Sequence, residues 1–376
     1  MNDVGSRWVN SQRKSFIASA QFWITRPASF LVRLVEFFSI RTSLSNVVIK
    51  EISSIIRIDQ FRAAIQTFEV LVPPRVMKRE MLDVPNFIED LHDTCRAINR
   101  YSIANVDFHL KSGVSSLFGG FIVEEFYGSE MGIFGSGTIL HEYRQIKKGR
   151  KQHFSGSWIV VETPKYYFHF IAQTLPTLIR SLQHESKPNI ICHEDSPTWL
   201  KQLLLELNPA TYFSKSTVIN VEIAILTSVP EFAMDDEIRL LRSKWPSKES
   251  QPQSIVYVSR EGQNRDLGGM GKELTKYLLS KKVQMVDPSK LDWGEEISLF
   301  ANTSKLILVN GSSVANLVWM KEGTSALILF DFRDFSTQIE KSFIKSTGIN
   351  TLSLNVDDTK NSEADILNLV ATFLDA

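Results

Sequence analysis

A chain of 376 residues is long for one small domain, and at roughly 150 residues per domain it predicts two. Its 43% hydrophobic and 10% aromatic content excludes wholesale disorder, and 42 Lys+Arg against 42 Asp+Glu remove any bulk-charge argument for a nucleic-acid partner. Two cysteines, Cys95 and Cys192, make neither a disulfide framework nor a zinc spacing, and they fit a reducing, cytoplasmic compartment.

No stretch reaches about 18 uninterrupted apolar residues, so no transmembrane span is expected. The N-terminus also lacks the apolar core and cleavage site of a signal peptide. Residues 1–50 are basic and aromatic: Arg7, Arg13, Lys14, Arg26, Arg33, Arg41 and Lys50 stand against Asp3 and Glu36, interleaved with Phe22, Trp23, Phe30, Phe37 and Phe38. Such an amphipathic segment lies in a membrane interface, or else packs on its own protein or a second copy. Residues 51–150 are less legible, with strand-like Phe-rich runs near 113–140.

From Ser155 onward, short apolar runs alternate with helical patterns, which predicts α/β units. "SWIVVE" (157–162) reads as a strand. Thr163 and Pro164 supply a cap and first-turn signal for a helix through about Leu182. Within it His169, Gln173 and Arg180 share a face, and Pro176 predicts a kink. "NIICH" is a strand, Ser196-Pro197 opens the helix "TWLKQLLLEL", and "STVINVEIAIL" is a further strand. Ser243 to Gln253, "SKWPSKESQPQ", reads as a polar linker. The pattern then restarts: strands "SIVYVS", "VQMV", "KLILV" and "SALILF" alternate with helices over Gly271–Lys282, Trp293–Asn302 and Ser313–Met320. This organisation assigns 51–245 to one α/β domain and 250–360 to a second, with 361–376 a terminal helix bearing Ile366, Leu369, Val370 and Phe373 on one face.

Two loops stand at corresponding places in the second half. Arg260 and Arg265 follow "SIVYVS"; Asn310, Gly311, Ser312 and Ser313 follow "KLILV" and open a helix containing Asn316. In a parallel sheet both loops lie outside carboxyl ends of strands, where ligands bind. Arginine grips phosphate bidentately and unpaired helix N–H groups attract anions, so the pair predicts a diphosphate site. Asp292 and Glu295 have capping-box spacing, which leaves Glu296 the freer carboxylate. No Asp-x-Asp, Walker loop, G-x-S-x-G or H-E-x-x-H occurs. Protein cations and helix ends, with no metal and no other cofactor, are therefore expected to neutralise a bound diphosphate.

Together these segments resemble glycosyltransferase family 61, which includes bacterial capsular polysaccharide enzymes. "YYFHFIAQTLPTL" resembles the family's "NYYHWLLDTLPRL", and "YVSREGQNRDL" its "YISRRxxxxRxxxN" loop. "LDWGEEISLFANTSKLILVNGSSVANLVWMKEG" resembles "LSFxEQxxLFxxAxxIxGxHGAGLxNxxFxxPG". The resemblance spans roughly residues 155–335. It implies a GT-B-like α/β fold, two Rossmann-like domains facing a cleft, and inverting, metal-independent transfer from a nucleotide-sugar, UDP-sugar favoured, to a glycan or glycolipid. It places Arg260, Arg265 and the Asn310–Ser313 turn on the diphosphate, with Asn316 at the motif's Asn and His169 at its His. His169 is then the candidate base, with Glu162 and Glu296 as reserves.

The chain departs from the motif at Asn310 (for His), Gln173 (for Asp) and Glu296 (for Gln). Those changes motivate a second reading, a catalytically silent GT-B subunit of a polysaccharide machinery. A phosphate-binding hydrolase or phosphotransferase ranks last for want of a nucleophile motif. A lipid-linked acceptor would make the N-terminal segment a peripheral anchor on the inner membrane face.

Overall fold

The computed structural model describes residues 65–72, 75–76, 94–95, 98–111, 115–117, 120–122, 146, 149–164, 166–185, 188–227, 235–246, 251–259, 269–330, 338–356 and 363–376. The basic N-terminal segment, most of the 113–140 run and the loop carrying Arg260 and Arg265 lie outside the described residues.

The first half is a mixed sheet. Its strands are β1 (Ile65–Val72), β4 (Ile98–His109), β5 (Ser115–Leu117), β6 (Gly120–Ile122), β7 (Gln152–Val160), β8 (Ile190–His193), β9 (Tyr212–Ser214) and β10 (Val218–Thr227). The order is β6-β5-β4-β10-β7-β8-β9, with β1 also on β4. Strands β7 to β10 pair in parallel, and the rest are antiparallel. A two-residue ladder, β2 (Arg75–Val76) on β3 (Thr94–Cys95), stands apart. Helix α1 runs over Tyr167–His169, a π-helical stretch Phe170–Thr174, and Leu175–Gln183. Helices α2 (Thr198–Leu207) and α3 (Asp235–Lys244) follow.

The second half is an all-parallel sheet of β11 (Ser254–Val258), β12 (Gln284–Val286), β13 (Thr303–Val309), β14 (Ser325–Phe330) and β15 (Asn350–Asn355). The helices between and after are α4 (Gly269–Ser280), α5 (Trp293–Ala301), a 3-10 helix Ser312–Val318, α6 (Gln338–Ser346) and α7 (Glu363–Asp375). The sheet order is β12-β11-β13-β14-β15, an open doubly wound arrangement that reverses direction between β11 and β13.

These strands read as continuous apolar runs because both faces are covered. Successive side chains point to opposite faces. Val256, Val258, Leu306, Leu308, Ala326 and Ile328 therefore enter one core, while Tyr257, Ile307, Leu327 and Leu329 enter another with Leu274 of α4 and Val370 of α7. The first core does not end at the second sheet. It continues through α1, α2 and α3 to Ile159, Ile190, Cys192 and Ile225 of the first sheet.

The segment that reads as a polar linker takes part in this core. Trp245 is buried, its rings meeting Trp293 at 5.4 Å and Trp319 at 5.7 Å, and its Nε1 donates to Glu206 Oε1 over 2.7 Å. An indole that gives its N–H a partner while burying its rings adds packing energy that a solvated linker lacks. Among the described residues no helix is long and apolar enough to cross a membrane.

Candidate functional site

The direction change between β11 and β13 puts the carboxyl ends of these two parallel strands side by side at one edge of the second sheet. The loop after β13 is described. Asn310 is buried, and its backbone N–H donates to Leu329 O over 2.7 Å. Gly311 follows at φ 143, ψ −154, a conformation open in practice to glycine alone. The chain then turns into the 3-10 helix, where the sequence pattern predicts an α-helix from Ser313. Its seven residues supply turn amides at Ser312 and Ser313, both half-buried, and not the aligned dipole of a long helix.

The tighter winding has a consequence. Residues three apart eclipse in a 3-10 helix. Val314 and Leu317 thus face the core in one row, and Asn316 and Trp319 lie together in another. Asn316 is fully buried.

Opposite stands the start of α1. The expected start at Thr163 is displaced to Tyr167 because Thr163 is committed elsewhere: its N–H donates to Leu110 O over 3.0 Å and its hydroxyl meets Ser196 Oγ at 2.9 Å. Pro176, where the sequence predicts a kink, lies just after the π-helical stretch. The wide turn of that stretch accommodates a residue that lacks an N–H and crowds the preceding carbonyls.

His169 is half-buried on the last residue of the first turn, its Nδ1 2.8 Å from Gln173 Oε1. The Phe168 and Tyr166 rings meet the imidazole edge-on at 5.4 and 6.2 Å. Arg180, on the same helical face by spacing, is taken into an ion pair with fully buried Glu237 of α3 at 3.2 Å. It is not gathered with His169 and Gln173.

Tyr167 joins the two halves. Its hydroxyl donates to Asn316 Oδ1 over 3.2 Å. Beside it lies Glu296 of α5, only 4% exposed. Burial pushes the Glu296 carboxyl up to about 7, and the Asn316 amide and Tyr167 hydroxyl partly oppose that rise. The Tyr167 phenol is itself held well above its usual value, by burial first and then by the Glu296 charge. Asn316 Nδ2 comes close enough to act on Glu296 but completes no hydrogen bond of good geometry, and neither do the buried Nε1 groups of Trp293 and Trp319.

Glu296 is thus more enclosed than its sequence position indicates, because Asp292 and Glu295 close a capping box and turn it inward. Glu162 follows β7, half-buried, and acts electrostatically on Cys192, whose thiol burial pushes up to about 11. Arg260 and Arg265 lie outside the described residues.

Tyr167 is not among the residues that the sequence pattern singles out. The signal was available: a tyrosine at a buried helix start requires a partner for its hydroxyl. Trp319 and Trp293 carried no such local signal.

The start of α1, which carries the half-buried His169, packs near the 3-10 helix, and Tyr167, Asn316 and Glu296 form a phenol–amide–carboxyl cluster between the two. No match was found among curated proteins. The family model Glycosyltransferase 61 matches residues 167–327, from the first residue of α1 into β14. That stretch contains His169, Gln173, Glu296, the Asn310–Ser313 turn and Asn316, and on this match the chain is a glycosyltransferase.

Proposed function

We propose that the protein is an inverting, metal-independent glycosyltransferase of GT-B type, with halves 51–245 and 250–360. It would move a sugar from a nucleotide-sugar, UDP-sugar favoured, to a glycan or glycolipid acceptor in surface polysaccharide synthesis of the capsular kind. One observation carries the reading: inside the stretch that matches the family, the sheet reverses direction between β11 and β13. Such points hold ligands in open α/β sheets.

In this reading Arg260, Arg265 and the Asn310–Gly311–Ser312–Ser313 turn meet the diphosphate. The acceptor oxygen attacks the anomeric carbon, and the bond to the diphosphate oxygen breaks with its electron pair. The hydroxyl proton passes to His169. Charge developing on the leaving diphosphate is the largest electrostatic demand, and fixed cations and amides meet it without reorganisation. Asn316 is reassigned to the floor beneath the turn, and Glu296 to that floor in place of a reserve base. Glu162 remains the reserve. A lipid-linked acceptor would be met at the inner membrane face through residues 1–50.

Calorimetric titration with UDP, GDP, dTDP and CMP in EDTA tests the donor site. One nucleotide is expected to bind, and binding is expected to vanish in Arg260→Ala/Arg265→Ala. Release of that nucleotide from its sugar donor only when an acceptor glycan is present then tests transfer. Asn310 and Gln173, standing where the resemblance has His and Asp, favour the second reading, a catalytically silent GT-B subunit. Binding of a nucleotide without acceptor-dependent release would select it.

A further inference from the structure

Gln173 lies four residues after His169, within the π-helical stretch of α1, and is 2% exposed. Its Oε1 is 2.8 Å from His169 Nδ1. A neutral imidazole donates from one nitrogen and accepts at the other, and a carbonyl oxygen only accepts. The contact therefore puts the ring proton on Nδ1 and the lone pair on Nε2. The ring's tilt is limited by the edge-on rings of Phe168 and Tyr166.

Resting on the reading of His169 as the base, we propose that Gln173 is a positioning residue. It fixes the His169 tautomer so that Nε2 takes the acceptor hydroxyl's proton. An amide does this differently from a carboxylate. A carboxylate at the same place would hold the same tautomer but would also favour the imidazolium, raising the imidazole's basicity. An amide orients the ring without placing a charge beside it. It also stays buried without the desolvation cost of a charge. The π-helical turn holds the pair on one side of α1, and such turns recur at functional sites.

The test uses the full-length protein with ¹⁵N-labelled histidine, the His169 ring signals being assigned by their loss in His169→Gln. In the neutral ring the wild type is expected to carry the proton on Nδ1. Gln173→Leu is expected to lose that preference and to lower kcat about tenfold to a hundredfold, with KM within about twofold. Gln173→Met provides the same comparison should the leucine variant fail to fold. Gln173→Glu is expected to restore the Nδ1 proton and the activity, with the acid limb of the pH profile moved up by about one unit or more.

A wild-type ring protonated on Nε2 would overturn the proposal. So would ring signals that change in Gln173→Leu while kcat does not. In that last case His169→Ala separates the causes: full activity there means the base reading has failed, and lost activity means only the role of Gln173 has.

Discussion

Tyr167 and Asn316 are 149 residues apart in the chain, yet the Tyr167 hydroxyl donates to the Asn316 side chain over 3.2 Å at the junction of the two halves. Tyr167 begins the helix that carries His169, and Asn316 lies in the 3-10 helix that begins at the Ser312–Ser313 turn. This polar contact joins the element that carries the candidate base to the element that begins at the candidate donor turn. Because its acceptor Asn316 and the neighbouring Glu296 are both buried, its loss leaves a buried polar atom short of a donor.

Tyr167→Phe is expected to destabilise the protein by about 1–3 kcal/mol, since the Asn316 carbonyl oxygen loses its donor. Urea unfolding of Tyr167→Phe, Asn316→Ala and the double variant should show coupling of about 0.5 kcal/mol or more. Strict additivity would mean that the contact does not hold in solution.

Glu296 gives stability a pH dependence of definite sign. Its folded value of about 7 lies above its usual 4.5, so the folded state binds the proton more tightly than the unfolded chain. The stability linked to this group is complete below about pH 4.5 and is lost as pH rises through 7. The change is on the order of a few kcal/mol. Glu296→Gln keeps the shape and removes the titration. Thermal unfolding should find the variant more stable than wild type at pH 8 and the two alike near pH 4.

Arg242 of α3 fastens the first half to the second. Its Nε donates to Val318 O over 2.9 Å, and its Nη2 donates to Met320 O over 3.0 Å and Thr347 O over 2.7 Å. These carbonyls end the 3-10 helix and α6, where no helical partner is available. Arg242→Met removes three charge-assisted bonds, and a loss of about 3 kcal/mol or more is expected in urea unfolding. Arg242→Lys should recover only part of it, because one ammonium cannot reach three carbonyls in the geometry of the guanidinium fork.

Gly311 at φ 143, ψ −154 leaves no relaxed conformation for a side chain. Gly311→Ala is expected to cost about 1–3 kcal/mol of stability. It should also weaken nucleotide binding in the calorimetric titration, since the strained turn belongs to the proposed donor site. Undiminished affinity would move the donor away from this turn.

Much of the second half was legible in advance. Runs such as "KLILV" and "SALILF" are apolar throughout because their strands are buried on both faces, so pattern and structure agree. The capping box at Asp292 and Glu295 is local chemistry and formed as its spacing predicts. The first half resisted for an equally physical reason. Along β4 apolar residues alternate at Tyr101 and Ile103, then at Val106 and Phe108, and the phase changes where Asn105 adopts φ 55. A single left-handed residue inside a strand hides its period.

The sequence by itself determined the α/β alternation, the apolar strands of the second sheet and the candidate histidine, because each depends on residues close in the chain. Only the tertiary structure decided that Trp245 leaves a polar stretch to enter a core shared by both sheets. It also decided that Glu296 lies enclosed with Tyr167 and Asn316. Those outcomes depend on burial, and burial is set by contacts with segments as far as 39 and 149 residues away, whose approach no local pattern encodes.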